Sequence, residues 1–346
     1  MTRAMNAFLM LFGAAVISVS LFVPDRAIGE GCTKIELFGN TSIESREIFT
    51  ALSFVSDQGC VLPFEQSKLK SECEFLQSRF PQIRQIHCGS IVLGNLRTIE
   101  VSMLEYAEFE YLKETVSRYR ADKPERIELN DSLSPLYVQH RELWFDAVRA
   151  RKELGEHVQD NVLRYTLPEL DELADTLRQQ VTLERDVLER VVQQSSLTNH
   201  RIAATWLLPW SQPTAETINN TMLAILDESQ LVRNNYGRFL HFFVEYIDDS
   251  STLDELAKLA FIQLKMPAHS DRNKAVHILR QLASLDHLNC TEFASRSRRE
   301  ELDQIANRSA LPNVGGVARE ILERLEVRCG KQTILLQERP SYQEEP

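Results

Sequence analysis

Residues 34–40 read Lys-Ile-Glu-Leu-Phe-Gly-Asn, and this stretch decides how the first part of the chain folds. Ile35 and Leu37 alternate with polar residues, which is the period-two pattern of a β-strand. The Gly-Asn pair that follows is a turn former and ends the strand. A capping box at 41–44 then predicts a helix through about Val55.

The next fifty residues predict one more helix and two strands. Apolar residues at spacings of three and four predict a helix from roughly Phe64 to Phe80, and Pro81 ends it because proline cannot continue a helix. Segments 83–93 and 98–105 alternate as strands do, and Gly94-Asn95 between them is a hairpin pair. The sequence therefore predicts a compact β-α-α-β-β module.

This order resembles the POTRA domain of outer-membrane barrel assembly factors and of a bacterial cell-division scaffold. The residues that carry the resemblance are Ile35-Glu36-Leu37-Phe38-Gly39-Asn40, the capped helix after them, and Ile99-Glu100-Val101-Ser102-Met103-Leu104-Glu105. The resemblance covers residues 30–106, and four cysteines inside the module are unusual for the family. Another small α+β domain with the same strand order remains the alternative.

The resemblance implies a way of binding other proteins. POTRA domains expose a sheet edge, to which a partner segment adds a strand through main-chain hydrogen bonds. The corresponding edge here is 84–92. The implied partner-binding residues are Arg84, Gln85, Ile86, His87, Ser90, Ile91 and Val92.

The start of the chain predicts export. Arg3 precedes an unbroken apolar run at 7–23, and small residues at 27–29 suit cleavage before Glu30. We expect a signal peptide at 1–29. A retained membrane anchor formed by the same apolar run is the alternative, because that run is near the minimum length for a bilayer span.

Six cysteines, an even number, fit an oxidising compartment. Four lie in the first module and two near the end of the chain, so we expect pairing within each group. The expected pairs are Cys60–Cys73, Cys32–Cys88 and Cys290–Cys329. Other connectivities among the first four cysteines remain open.

After the module, glycine becomes rare and apolar residues recur at helical spacing. Residues 107–133 are expected to form a connecting helix and a linker, 134–330 a helical body, and 331–346 a flexible tail. Ser-Pro and Leu-Pro pairs predict long helices at about 134–158 and 168–192.

Four segments of the helical body share one register at intervals of roughly 35 to 45 residues, which is typical of an α-solenoid. They are His200–Leu207, Arg233–Leu240, Arg272–Leu279 and Gly315–Leu322. The second segment, with Asp227 and Val232-Arg233, resembles the HEAT repeat, and Arg272 matches the same arginine position. The first and last segments have His200 and Gly315 there. An irregular helical bundle is the alternative to HEAT-like repeats over about 195–328.

Single residues of the helical body invite two functional interpretations. Arg233 and Arg272 are expected to make hydrogen bonds between repeats rather than to bind a ligand. Trp206 and Trp210 flank a proline and are either core residues or anchors for a partner.

The net charge of −11 disfavours nucleic acid as a partner.

Motifs for catalysis are missing from the sequence. It has no Gly-x-Ser-x-Gly, no phosphate-binding glycine loop and no His-Glu-x-x-His. His287 and Cys290 have ligand-like spacing, but two residues cannot complete a zinc site. We therefore predict no catalytic, cofactor-binding or metal-binding residues.

These patterns together predict an α+β module followed by an all-α, HEAT-like solenoid. The predicted function is an exported, non-enzymatic adaptor for other envelope proteins, located in the periplasm, secreted, or anchored in the inner membrane of a Gram-negative bacterium, as the POTRA resemblance implies. Two alternatives remain. A helical hydrolase of an envelope polymer would bring two acids with raised pKa values into one cleft. A carrier would enclose an apolar pocket for a small ligand.

Overall fold

The computed structural model describes residues 34–39, 42–56, 60–62, 66–93, 96–119, 123–285, 290–293, 295–309 and 311–337. In these ranges the protein has a small α+β module followed by a larger helical body, as predicted. Some predictions lie outside the described residues: the signal peptide or anchor at 1–29, Cys32, the turns at Asn40 and Gly94-Asn95, His287, and the tail from 338 onwards.

The module has the predicted β-α-α-β-β order. Its elements are β1 (Lys34–Phe38), α1 (Ser45–Ala51), α2 (Leu69–Arg79), β2 (Ile83–Leu93) and β3 (Leu96–Glu105). The described strands form a sheet in the order β1-β3-β2, in which β1 is parallel and β2 antiparallel to β3. This topology leaves β1 and β2 at the two ends of the sheet.

One face of the sheet packs under the two helices. Ile99, Val101 and Met103 point to that face because side chains alternate along a strand, and they join a buried core with Ile48 of α1 and Leu76 of α2. Residues at the intervening positions, Glu100 and Ser102 among them, point to the other face and are also buried. The sheet is therefore covered on both sides.

The helical body starts with a connecting helix and a hairpin. Its first elements are α3 (Tyr106–Tyr119), α4 (Leu133–Arg149), β4 (His157–Gln159), β5 (Val162–Arg164), α5 (Pro168–Leu183) and α6 (Arg185–Gln194). The remaining helices are α7 (Thr198–Leu207), α8 (Ala215–Thr221), α9 (Gln230–Phe243), α10 (Ser250–Leu264), α11 (His269–Ser284), α12 (Cys290–Phe293), α13 (Arg296–Arg308) and α14 (Val317–Gln337).

Consecutive members of two helix sets pack on each other in chain order. Helices α7, α9, α11 and α14 form one row. Helices α6 and α8, the short turn Met222–Leu226 and α10 form the second row. The four segments with a shared sequence register correspond to the first row.

Three predicted boundaries in the helical body are wrong. The helix predicted at 134–158 ends at Arg149, where Arg151 adopts a positive φ of 54° and the chain turns into the β4–β5 hairpin. The helix predicted at 168–192 is interrupted at Glu184, which separates α5 from α6. The predicted tail begins too early, because α14 continues past residue 331 to Gln337.

Residues 123–130 were predicted to be a linker. Instead, hydrogen bonds along this segment attach it to the helical body. The backbone N–H of Ser196 donates to the carbonyl of Glu125 at 2.7 Å, and the N–H of Leu129 donates to Nδ1 of His200 at 2.9 Å. The Ser195 hydroxyl donates to the carbonyl of Ile127 at 2.5 Å. This segment is therefore a brace across the start of α7.

None of the helices in the described ranges combines the length and the apolar character that a bilayer span requires.

Candidate interaction surface

The terminal strand β2 exposes the part of the module that the sequence singled out. Arg84 and Gln85 are exposed, and residues 86–90 are partly exposed. Only β3 pairs with β2 among the described strands, so the outer side of β2 is a sheet edge. The register with β3 shifts between Ile83 and Gln85, which indicates a bulge at the start of the strand. Bulges are common at natural edges because they limit unwanted strand pairing.

Helices α2 and α3 hold this edge in place. Cys73 of α2 forms a disulfide with Cys88 of β2. The Gln77 side-chain amide of α2 donates to the carbonyl of Arg84 at 2.9 Å. At the other side of the strand, the Arg84 guanidinium carbon lies 5.8 Å from the ring centroid of Phe109 in α3. The edge is thus pinned to two helices, which lowers the entropy that a binding partner would have to remove.

The predicted binding residues of β2 divide between the two faces of the sheet. Ile86 packs partly into the module core under the helices, while His87 points to the opposite face. Ser90 is partly exposed. Ile91 was predicted to contact a partner, but its side chain is buried and therefore not accessible. The side chain of Val92 lies outside the described residues.

The disulfide pattern corrects two of three predicted pairs. Cys73 bonds to Cys88, so the predicted Cys60–Cys73 and Cys32–Cys88 pairs are both wrong. The reason is geometric: α2 packs directly on β2, which brings these two cysteines together. The predicted Cys290–Cys329 pair is confirmed and joins α12 to α14. Bonded cysteines fit an oxidising compartment, such as the periplasm or the extracellular space.

The face of the sheet away from α1 and α2 docks on the helical body. Arg272 of α11 forms an ion pair with Glu100 and donates to the Ser102 hydroxyl at 3.0 Å. Its guanidinium carbon lies 3.9 Å from the ring centroid of Phe38. The Ser309 hydroxyl donates to Glu36 at 3.1 Å. A buried polar contact therefore joins the sheet to the body, while Arg84 and Gln85 of β2 remain exposed.

Three arginines, of which Arg272 is the last in the chain, make the same kinds of contact, one with a carboxylate and one with a carbonyl. Arg201 donates to both carboxylate oxygens of Asp227 at 2.9 and 3.1 Å, and Arg233 donates to both of Asp271 at 2.8 and 2.7 Å. Arg272 has Glu100 as its acid. Each of the three also donates to the carbonyl six residues before it. The sheet thus supplies to α11 the kind of carboxylate that the loop before α9 supplies to α7, and that α11 supplies to α9.

This arrangement corrects the predicted register of the first repeat. The residue equivalent to Arg233 is Arg201, not His200, because Arg201 makes the same pair of contacts. Arg233 bonds to Asp271 of the neighbouring helix α11, so it makes a contact within the helical body as expected. Arg272 instead bonds to the sheet.

Lys123 of the brace adds a second cation to Asp227. Burial alone would raise the pKa of this carboxyl, but hydrogen bonds from Arg201 and Lys123 outweigh burial and hold it below its usual value. Asp227 therefore stays ionised at neutral pH and ties the brace to α7.

Two acids of the sheet come together but form no cleft. Glu36 and Glu100 are neighbours in the β1–β3 register, and they are 3% and 0% exposed. Burial raises the pKa of Glu36 to about 7, against the lowering effect of Arg272. A hydrolase would need the two acids in an open cleft. Substrate cannot reach either carboxylate in this closed contact, so the pair does not form such a cleft.

Trp206 and Trp210 are core residues, so their prediction as partner-binding candidates is wrong. Both are buried. The indole N–H of Trp206 donates to His140 at 3.1 Å, and that of Trp210 donates to the carbonyl of Leu163 at 2.9 Å. Each indole finds a buried acceptor, which lets tryptophan be buried without an unpaired donor.

Comparison with protein-family models, with curated proteins and with solved structures gives no match. In the part of the chain that the structure describes, no group of three or more histidine, cysteine or carboxylate side chains is placed to hold a metal ion.

Sequence reasoning missed the residues that join the module to the body. Glu36 and Glu100 alternate with apolar residues, and such positions usually face solvent. Phe38 and Leu104 lie on the same face as these acids, and two large apolar residues on the supposed polar face are the available signal that it is covered. Nothing in the sequence indicated that Arg272 would be the cation opposite them.

Proposed function

We propose that this chain is an exported, non-enzymatic adaptor that captures an extended segment of another protein by strand addition along the outer side of β2. The observation that carries the proposal is the combination of a terminal strand, exposed at Arg84 and Gln85, with a sheet whose two faces are both covered. A partner would then bind at an edge of the sheet, and β2 is the terminal strand with fully exposed side chains at its start.

The surroundings of β2 suit an added strand. Main-chain groups supply the affinity in strand addition, and neighbouring pockets select alternate side chains. Two exposed aromatic residues lie on the helices that pack against β2: Phe75 on α2 and Tyr106 at the start of α3. These rings would contact apolar side chains of the captured segment.

We propose further that the rows α7, α9, α11, α14 and α6, α8, α10 form a short HEAT-like solenoid that offers a second surface. The repeated contacts of Arg201, Arg233 and Arg272 support a common repeat unit. Beside these rows, on α4, which packs against α7, a surface depression of about 720 Å³ is lined by apolar side chains and by Asp131, Glu142 and Asp146. Its acidic lining would suit a basic segment of a second partner.

The proposed place of action is the envelope of a Gram-negative bacterium, in the periplasm or at the inner membrane. The bonded cysteines support an oxidising compartment. The predicted signal peptide or anchor at 1–29 supports export, and the POTRA-like order supports a bacterial envelope.

A proline scan of β2 tests strand addition directly. In an antiparallel strand, alternate residues turn both backbone groups towards or away from the partner strand. Proline at 86 and 90, or at 87 and 89, therefore removes N–H groups from one side only. We expect the pair on the β3 side to unfold the module, and the outward pair to keep the fold and abolish partner capture.

Capture is measured with the tagged mature protein, with a photo-crosslinking residue placed at Gln85, against envelope extracts. The same crosslinker at Lys70, exposed on α2, is the matched control. A folded outward-proline variant that still crosslinks the same partner at Gln85 would contradict strand addition.

A further inference from the structure

Five basic side chains lie on the neighbouring helices α9 and α11, between Glu156 at one end and Glu320 of α14 at the other. Arg238 and His241 lie three residues apart on α9, and Lys274, His277 and Arg280 follow at intervals of three on α11. Side chains three residues apart are neighbours on a helix surface, so His277 lies between Lys274 and Arg280, and the two helices pack on each other. The His241 and His277 ring centroids are 6.1 Å apart. We call these five residues the basic cluster.

The basic cluster is closed to all but small molecules. Arg238, Lys274, His277 and Arg280 are between 5% and 9% exposed, and only His241 is more open. The stem of Lys274 passes over Gly237, where an added Cβ would lie 2.7 Å from Cβ of Lys274. The missing side chain at 237 therefore makes room for the lysine in the interior.

Acids balance only the two ends of the cluster. Arg238 bonds to Glu156 at 2.5 Å, and Arg280 lies 3.7 Å from Glu320, which also bonds to Arg324 at 2.6 Å. Among the described residues, no carboxylate lies within ion-pair distance of Lys274. Three cations thus share two carboxylates, one of which is divided between two arginines.

Several buried nitrogen atoms in the cluster lack a hydrogen-bond partner within the described structure. They are Nε of Arg238, Nδ1 of His241 and both ring nitrogens of His277. Burial lowers the pKa of Lys274 to about 8 and that of His241 to about 3, so the lysine stays mainly charged and this histidine neutral at pH 7. Buried charges and unpaired donors are costly unless something pairs them.

We propose that the basic cluster between α9 and α11 binds a compact oxyanion, the phosphate or carboxylate group of a small molecule. An oxyanion accepts several charge-assisted hydrogen bonds at once, and the cluster offers Lys274 and two neighbouring imidazoles, with Arg238 and Arg280 at its two ends. The low exposure favours a small ligand over the surface of a folded protein. This site is separate from β2 and stands whether or not strand addition occurs.

Calorimetric titration of the mature protein with inorganic phosphate, succinate and chloride, at equal low ionic strength and pH 7, tests the proposal. We expect saturable binding of one ion of phosphate or succinate and none of chloride. Preference for phosphate identifies a phosphomonoester ligand, and preference for succinate a dicarboxylate. Failure of both to bind above chloride, or binding of an acidic peptide alone, overturns the small-anion site.

The substitution Lys274→Met distinguishes anion binding at the basic cluster from anion binding at the protein surface. It keeps the stem over Gly237 but removes the charge, so anion affinity should fall by at least about tenfold, while Lys113→Met on the exposed face of α3 should change it little. Without anion, Lys274→Met should raise the melting temperature, because a buried charge is removed. If Lys274→Met does not fold, Arg280→Gln replaces it. Wild-type affinity in the folded variant contradicts the proposal.

Discussion

At the scale of single residues, Glu36 differs from its neighbour Glu100 in the partner that reaches it. Arg272 bonds to Glu100, whereas Glu36 receives the hydroxyl of Ser309, and one of its oxygens has no partner in the described structure. Burial therefore dominates and raises the pKa of Glu36 to about 7. The folded protein holds a proton there that the unfolded chain releases near pH 4.5.

The sign of the resulting pH dependence follows from proton binding. Between pH 4.5 and 7 the folded state binds the extra proton, so Glu36 makes the free energy of unfolding fall as pH rises, by at most about 1.4 kcal/mol per pH unit. Glu36→Gln, which resembles the protonated acid, should remove this slope. Urea unfolding at pH 5, 6 and 7 measures it. Glu47→Gln, exposed on α1, is the control, and an unchanged slope in Glu36→Gln contradicts the assignment.

Gly237 provides a second prediction at this scale. Alanine normally stabilises a helix interior by about 1 kcal/mol over glycine. Here the added Cβ would lie 2.7 Å from Cβ of Lys274, so Gly237→Ala should destabilise the protein. Gly316→Ala is the matched control, because nothing lies within 4 Å of its added Cβ. Thermal unfolding compares them, and a stabilised Gly237→Ala variant would show that α9 and α11 pack less closely.

Single residues were predictable where their neighbours in sequence set their role. The pair between Arg233 and a following repeat could be inferred from a local pattern. The burial of Trp206 and Trp210 could not, because it depends on His140 and Leu163, which are distant in sequence. Exposure of a tryptophan is a property of packing, and a flanking proline carries no information on it.

At the scale of elements, the Cys73–Cys88 disulfide fixes the edge strand to α2. It closes a loop of 15 residues, for which chain entropy gives about 3 kcal/mol of stabilisation. Cys73→Ser with Cys88→Ser should therefore increase amide hydrogen exchange in α2 and β2, and leave α9 and α11 unchanged. Mass spectrometry of the exchanged protein measures this.

The second disulfide gives the matched control. Cys290→Ser with Cys329→Ser should loosen α12 and α14 without changing exchange in β2. Equal protection of β2 in all three proteins would show that Gln77 and the α3 contact are enough to hold the edge.

Element order was predictable and element ends were less so. The module order follows from strand alternation and from breakers such as Pro81, which act locally. The division at Glu184 and the β4–β5 hairpin depend on how α5 and α6 pack on later helices, and the helical pattern of the sequence continues through both points. The first of the four segments was placed one residue out of register, because the contacts that identify Arg201 exist only in the folded structure.

At the scale of the whole molecule, the polar contact between sheet and body makes one unit of two sequence regions. Arg272→Met alone leaves Glu100 buried without its cation, which should cost about 3–5 kcal/mol. Adding Glu100→Gln should restore much of that loss. A double-mutant cycle in urea measures the coupling.

The exposed pair Arg296–Glu300 on α13, at 2.8 Å, is the control for this cycle. Its coupling should not exceed about 0.5 kcal/mol. A coupling for Arg272 and Glu100 as small as that of the exposed pair would show that the sheet and the body are not joined through these residues.

The docking of sheet on body was not predictable from the sequence. A strand with one apolar and one polar face normally has its polar face in water. The acids on that face instead meet Arg272, which lies far away in the chain. This contact holds the β2 edge in a fixed orientation on the helical body.

Amide hydrogen exchange of residues 86–90, with and without the captured partner, tests whether a partner strand adds along β2. In the free protein we expect alternate amides of β2 to exchange fast, because they face away from β3, and the intervening amides to be protected. On binding, the fast set should become protected and the other set should stay unchanged. Protection of every β2 amide in the free protein, or fast exchange that persists in the complex, would contradict strand addition at this edge.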